Sequence, residues 1–104
     1  MIDKKKIEED IIAALRTVHD PEIPVNVYEL GLVYKIDIKD NGYVNIEMTL
    51  TAPGCPVAGD IIGEVDYKLR QVEAVTDVNV MLTFDPPWNK EMMSEEAKLE
   101  LGFL

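Results

Sequence analysis

From Lys4 to about Val18 the apolar residues Ile7, Ile11, Leu15 and Val18 recur every three or four positions, with Ile12 and Ala14 beside them. Glu8, Glu9, Asp10 and Arg16 fall off that stripe, the periodicity of a helix with one buried face. Asp3 stands where an N-cap belongs, able to accept a backbone N–H of the first turn. Pro21 disfavours helical geometry in the residue before it, so the helix is predicted to close near His19–Asp20. His19 to Gly31 then reads as a loop, because Pro21 and Pro24 leave no room for a regular helix and Gly31 allows a turn with positive φ. Ile23, Val25, Val27 and Leu30 in this loop predict that it folds back onto the core.

The period then changes from helical to alternating. Leu32, Tyr34, Ile36 and Ile38 face one side while Lys35 and Asp37 face the other, which reads as a strand over Leu32 to Lys39. Asn41-Gly42 predicts a type I′ hairpin turn, in which both central residues need positive φ. Tyr43 to Thr51 alternates again: Val44, Ile46, Met48 and Leu50 form the dry face, and Asn45, Glu47, Thr49 and Thr51 the wet one. A second loop, Thr51 to Pro56, precedes a helix predicted from Pro56 to about Val72, with Val57, Ile61, Val65, Leu69 and Val72 on its stripe. The last strand is predicted over Ala74 to Phe84, with Val78, Val80, Leu82 and Phe84 dry and Asn79, Met81 and Thr83 wet. A β-α-β crossover makes this strand parallel to the one before the helix; the pattern leaves the strand order open. Pro86-Pro87-Trp88 ends the sheet, because proline cannot donate to a ladder. Ser94 caps a short helix closed by Gly102, and Leu99, Leu101, Phe103 and Leu104 leave an apolar end that either packs on the domain or meets a partner.

Only one core fits in 104 residues, so residues 1–104 are expected to form a single α-β-β-α-β domain of the α+β class, a three-stranded mixed sheet with helices packed on one face. Apolar residues are 47% and charged residues 29% of the chain, which is globular composition. The net charge of −10 would repel phosphate backbones, and Lys4-Lys5-Lys6 is the only basic cluster, so nucleic-acid binding is not expected. No apolar run reaches the roughly 18–20 residues of a membrane span. The start MIDKKKIEEDII has no uncharged stretch of the kind a signal peptide needs, so a cytoplasmic location with no membrane partner is expected.

Cys55 is the single cysteine, so no disulfide can form within the chain. Pro56 suits the first position of a helix, which makes Cys55 its N-cap. The partial positive charge of a helix start favours thiolate over thiol, and a thiolate is both a nucleophile and a soft-metal ligand. The alternative is an inert buried cysteine. Iron–sulfur clusters usually take four protein ligands, and one Cys with one His cannot close such a site within a single subunit. A shared site or transient binding of iron or a cluster stays open, as does a homodimer; no tightly bound cofactor is expected. His19-Asp20-Pro21-Glu22 is a second candidate, either a structural proline turn or a source of polarising carboxylates from Asp20 and Glu22. A Cys55–His19 thiol enzyme is formally available. Thr49 and Thr51 lead into the cysteine loop and could floor a small polar site with Thr83. Trp88, in a loop stiffened by Pro86 and Pro87, reads as a core lid or an aromatic anchor for a partner. No glycine-rich phosphate loop is present, so a nucleotide-dependent enzyme is not expected.

Three segments, Asp20–Tyr34 (DPEIPVNVYELGLVY), Met48–Gly59 (MTLTAPGCPVAG) and Leu82–Trp88 (LTFDPPW), together resemble the metal–sulfur cluster biosynthesis family. That family holds the bacterial SufT-type proteins, the PaaD subunit of phenylacetate degradation and a eukaryotic relative in cytosolic iron–sulfur assembly. The resemblance implies a fold like the carboxy-terminal domain of NifU scaffolds and a non-enzymatic accessory role in maturing iron–sulfur proteins, with the assembly machinery and its clients as partners. It places the family's reactive cysteine on Cys55, its acidic turn on Asp20 and Glu22, its threonines on Thr49 and Thr51, and its proline–tryptophan loop on Pro86, Pro87 and Trp88. PaaD-type members carry a further cysteine-rich region after this point, which the chain lacks, so the SufT-type reading is expected ahead of a subunit supporting an aromatic-ring hydroxylating (phenylacetyl-CoA) oxygenase.

Overall fold

Asp3 accepts the backbone N–H of Lys6 at 3.2 Å and opens the first helix, α1 (Lys4–Leu15). In the computed structural model, which describes residues 3–19, 25–51 and 58–102, α1 is followed by β1 (Val33–Ile38), β2 (Tyr43–Met48), α2 (Ala58–Arg70), β3 (Asp77–Leu82) and α3 (Glu95–Glu100). The α-β-β-α-β order is the one the periodicity predicts, and the class is α+β with a mixed three-stranded sheet.

The helix ends before its apolar stripe does. Thr17 and Val18 donate their backbone N–H groups to Ala14 and Leu15, three residues back, and the Thr17 hydroxyl also donates to the Ala14 carbonyl at 2.6 Å. The last turn is thereby tightened and closed, while Val18 remains buried. The loop that follows folds inward where it is described: Val25, Val27 and Leu30 are all buried, while Ile23 lies outside the described residues.

The strand order is β1-β2-β3, which puts β2 in the centre, antiparallel to β1 and parallel to β3. The hairpin between β1 and β2 is not type I′. Gly42 has φ +89°, but Asn41 does not share a positive φ. The Lys39 carbonyl accepts from Gly42 N–H and its N–H donates to Tyr43 O, enclosing three residues rather than two. A three-residue hairpin needs only its last residue in the left-handed region, and that residue is the glycine. A Cβ at Gly42 would also overlap the carbonyl oxygen of Ala74 in the turn before β3.

Val44, Ile46 and Met48 on the dry face of β2 are completely buried, against Ile7, Ile11 and Leu15 of α1 and Ile61, Val65 and Leu69 of α2 in one apolar cluster. Lys68 of α2 donates to the carbonyl and hydroxyl of Thr17, in the turn that closes α1. β3 departs from its predicted pattern. Val78 is buried, but Leu82 and Phe84 are 40% and 38% exposed. This strand is an edge, with α2 covering its start and nothing comparable among the described residues covering its end.

Ser94 caps α3 by accepting from Ala97 N–H at 3.1 Å, and Gly102 closes it at φ +84°. Of the apolar carboxy-terminal residues, Leu101 packs on the core and Leu99 is 67% exposed; Phe103 and Leu104 lie outside the described residues. No described helix is long and apolar enough to cross a membrane.

Candidate functional site

β2 leaves the sheet through Thr49, Leu50 and Thr51 and enters the connection that carries Cys55 before returning as α2. Cys55 lies outside the described residues, and so do Asp20 and Glu22. What the structure describes is the frame from which these segments spring. Val27 N–H donates to Val18 O, Leu32 N–H to Val27 O and Thr49 N–H to Leu32 O, at 2.8, 3.1 and 2.8 Å. These three backbone bonds run from the close of α1 to the close of β2. A β-bridge between His19 and Asn26 brackets the acidic turn, and His19 is exposed.

Thr49 belongs to the wet face by alternation, yet it is fully buried and stands between two buried neighbours, Met48 and Leu50. The strand's alternation fails here, where the Tyr34 side chain of β1 lies beside Thr49. Tyr34 on β1 donates its hydroxyl to the carbonyl of Pro86 at 2.8 Å and lies 3.5 Å from the sulfur of Met92. Burial raises the Tyr34 pKa above its ordinary value, while the neighbouring Thr49 hydroxyl pulls the other way. Trp88 is half-buried, packs against the core and donates its indole N–H to Leu30 O at 2.7 Å. Ser94 N–H donates to Glu29 O at 2.8 Å. Gly31, at φ +79°, lies so close beneath the Met92 carbonyl that a Cβ would overlap it. Residues 86–94 are thus strapped across residues 29–34 at four of them, Glu29, Leu30, Gly31 and Tyr34.

The sequence-predicted residues therefore divide. Thr49, Pro86 and Trp88 come together around Tyr34 and Leu30. Pro87 is exposed beside them and Thr51 is half-buried at the mouth of the cysteine loop. Thr83 lies next to Thr49 in the parallel register, donating its N–H to Met48 O, but its hydroxyl accepts the Asp85 N–H and so serves its own turn. Trp88 acts as a lid whose polar handle is already engaged. Tyr34 is the residue that the pattern misses: its spacing groups it with Leu32, Ile36 and Ile38 on the dry face. A phenol in that row carries a hydroxyl that must find a partner, and that was the available signal. Among the described residues no group of three His, Cys, Asp or Glu side chains could hold a metal ion.

Fold and frame define a class: a small α+β domain with a mixed three-stranded sheet, one end of which is strapped by the segment after β3. Residues 8–81 match the family described as "Iron-sulfur cluster assembly protein". The chain is 61% identical over 97 residues to the "Fe-S protein maturation auxiliary factor" of Porphyromonas gingivalis, covering 93% of this chain and 92% of that one. It is 42% identical over 83 residues to the "Fe-S protein maturation auxiliary factor SufT" of Staphylococcus aureus, covering 80% and 94%. The crystal structure of a domain of unknown function from Bacillus anthracis superposes with a TM-score of 0.88 at 40% identity, over 96% of this chain and 95% of that one. The chain belongs to the iron–sulfur cluster assembly protein family.

Proposed function

We propose that this protein is an accessory factor in iron–sulfur cluster assembly, acting in the maturation of iron–sulfur proteins. The observation that carries the reading is near-complete mutual coverage at 61% identity with a maturation auxiliary factor. That coverage ranks this reading above an oxygenase subunit or a Cys–His enzyme. Cys55 is the residue we assign to iron or cluster contact, as a thiolate favoured by the start of the second helix. One cysteine supplies one of the roughly four ligands a cluster takes, so the remaining ligands come from elsewhere: a partner, a client or a second copy. The cluster is cargo held in passing, and the protein acts without turnover of a substrate of its own. Asp20 and Glu22 shape the approach to the thiolate. Thr49 and Thr51 fix the strand end from which the loop departs, and the strapped Pro86–Trp88 segment keeps that end rigid. Assembly machinery and client proteins are the partners, met in the cytoplasm.

The test is reconstitution of an apo [4Fe–4S] dehydratase under anaerobic conditions with a cluster donor, with and without this protein. Wild-type protein is expected to raise the fraction of active client and Cys55→Ser is not. Equal client activity in the presence and absence of wild type would refute the role, and equal activity of wild type and Cys55→Ser would remove the cysteine from it.

A further inference from the structure

The parallel ladder fixes which way each peptide group of β3 points. Thr83 N–H donates to Met48 O, so in the register that pairs Leu82 with Met48 the odd-numbered residues of β3 bond to β2. The peptide groups of Val78, Val80 and Leu82 face the opposite way, along the free edge. At Val78 that edge is blocked. Arg70 donates to Val78 O at 3.1 Å, and Asp77, held by Arg70 at 2.6 Å, accepts Val78 N–H at 2.9 Å. At Val80 and Leu82 no described group bonds to the outward N–H or C=O. The side chains there are apolar and open on both faces: Met81 is 45% exposed, and Leu82 and Phe84 are nearly as open.

Proteins usually guard an edge strand along its length with charge, proline or a covering element. Here the guard stops after the first residues. The unguarded part is short, apolar and adjacent to the strapped end of the sheet. Its charged surroundings are acidic on balance: Glu47 stands opposite Met81 in the register and shares a cleft with Asp37 and Lys35, Asp85 follows the strand, and Arg70 is already paired with both Asp66 and Asp77. The whole chain carries −10, which opposes pairing with a second copy.

We propose that the free edge of β3 from Val80 to Phe84 is a docking site for an extended segment of a partner polypeptide, apolar at alternate positions and basic between them. Such a segment adds a fourth strand. Its backbone meets the peptide groups of Val80 and Leu82, its apolar side chains cover Leu82 and Phe84, and its basic side chains meet Glu47 and Asp85. The site does not depend on cluster handling by Cys55.

The experiment uses the full chain and two synthetic peptides of about eight residues, one alternating Val with Lys and one alternating Val with Glu. Binding is followed by amide chemical shifts and hydrogen exchange. The Val–Lys peptide is expected to slow exchange at the Val80 and Leu82 amides, and its affinity to fall as salt is raised; the Val–Glu peptide is expected not to bind. Leu82→Pro removes an outward N–H without breaking the bond to β2, and is expected to weaken the Val–Lys peptide at least about tenfold. Met81→Lys leaves the backbone alone, serves if the proline variant does not fold, and is expected to weaken the same peptide by charge. Undiminished binding in a folded variant, perturbation centred on the free edge of β1, or protection of Val80 and Leu82 in a peptide-free dimer would each overturn the proposal.

Discussion

Tyr34 is the side chain on which the strapped end of the sheet turns. Its hydroxyl reaches a carbonyl more than fifty positions away in sequence, at Pro86, and lies near the Thr49 hydroxyl. Removing that hydroxyl leaves the Pro86 carbonyl to solvent and frees the strap at one of its four points. Tyr34→Phe is expected to lower unfolding free energy by about 1 kcal/mol, the net worth of one such bond, and to speed amide exchange in residues 86–92 ahead of the core. A loss spread evenly over the core strands would count against this role. Because burial raises its pKa, Tyr34 is expected to ionise above the ordinary tyrosine range in an ultraviolet titration. A folded-state pKa above the unfolded value means the contribution is complete below about pH 10 and is lost as pH rises through the folded pKa.

Gly31 makes the same point through sterics. Its φ of +79° and its position under the Met92 carbonyl exclude any side chain. Gly31→Ala would meet both the left-handed penalty, roughly 1–2 kcal/mol, and a backbone overlap. It is expected to cost at least about 2 kcal/mol in denaturant unfolding and to release Trp88, seen as a red shift and loss of intensity in tryptophan emission. An unchanged midpoint would mean that the strap sits differently.

At the scale of elements, the periods were readable because each one answers to a single buried face. The stripe Ile7, Ile11, Leu15 and the alternation Val44, Ile46, Met48 meet in the same core, so local pattern and tertiary packing agree. They disagree at the far ends of β2 and β3. Thr49 has the spacing of a solvent-facing residue, yet it is fully buried, with the Tyr34 side chain beside it. Leu82 and Phe84 have the spacing of core residues, and only the edge position of β3 leaves them open. The hairpin differs for a local reason: Asn-Gly signals a turn, but the number of residues between Lys39 and Tyr43 decides which turn.

The edge of β3 also yields a pH expectation. Val78 N–H and the Arg70 guanidinium hold the Asp77 carboxyl below its ordinary value. A group whose folded pKa is depressed adds stability above its unfolded pKa and gives it up as pH falls through the folded one, so this contribution fades on the acid side, below about pH 4. The Asp77 carboxyl carbon is expected to titrate below an unperturbed aspartate, and Arg70→Ala to move its midpoint up. An Asp77 midpoint at the ordinary value in wild type would show that the clamp on Val78 is not formed in solution.

For the molecule as a whole, the family was legible from three short segments, two of which hold the residues assigned to chemistry. Asp20–Tyr34 and Met48–Gly59 carry the acidic turn and Cys55, while Leu82–Trp88 supplies the strap. Pattern could not supply the reason Trp88 is where it is. Its indole bond to Leu30 joins two of the three segments, and such a pairing has no signature within either one. The strand before the crossover ends buried at Thr49 and Leu50 and is bonded there to Leu32.

The most direct test of Cys55 as the point of cluster contact is its reactivity toward iodoacetamide, read by mass spectrometry under anaerobic conditions. One sample is alkylated as purified, and a second after exposure to ferrous iron, sulfide and a donor scaffold. The account expects Cys55 to alkylate readily when unloaded and to be protected after loading, with protection lost again on adding an apo client. Equal alkylation before and after loading, with iron and sulfide bound to the protein, would contradict it.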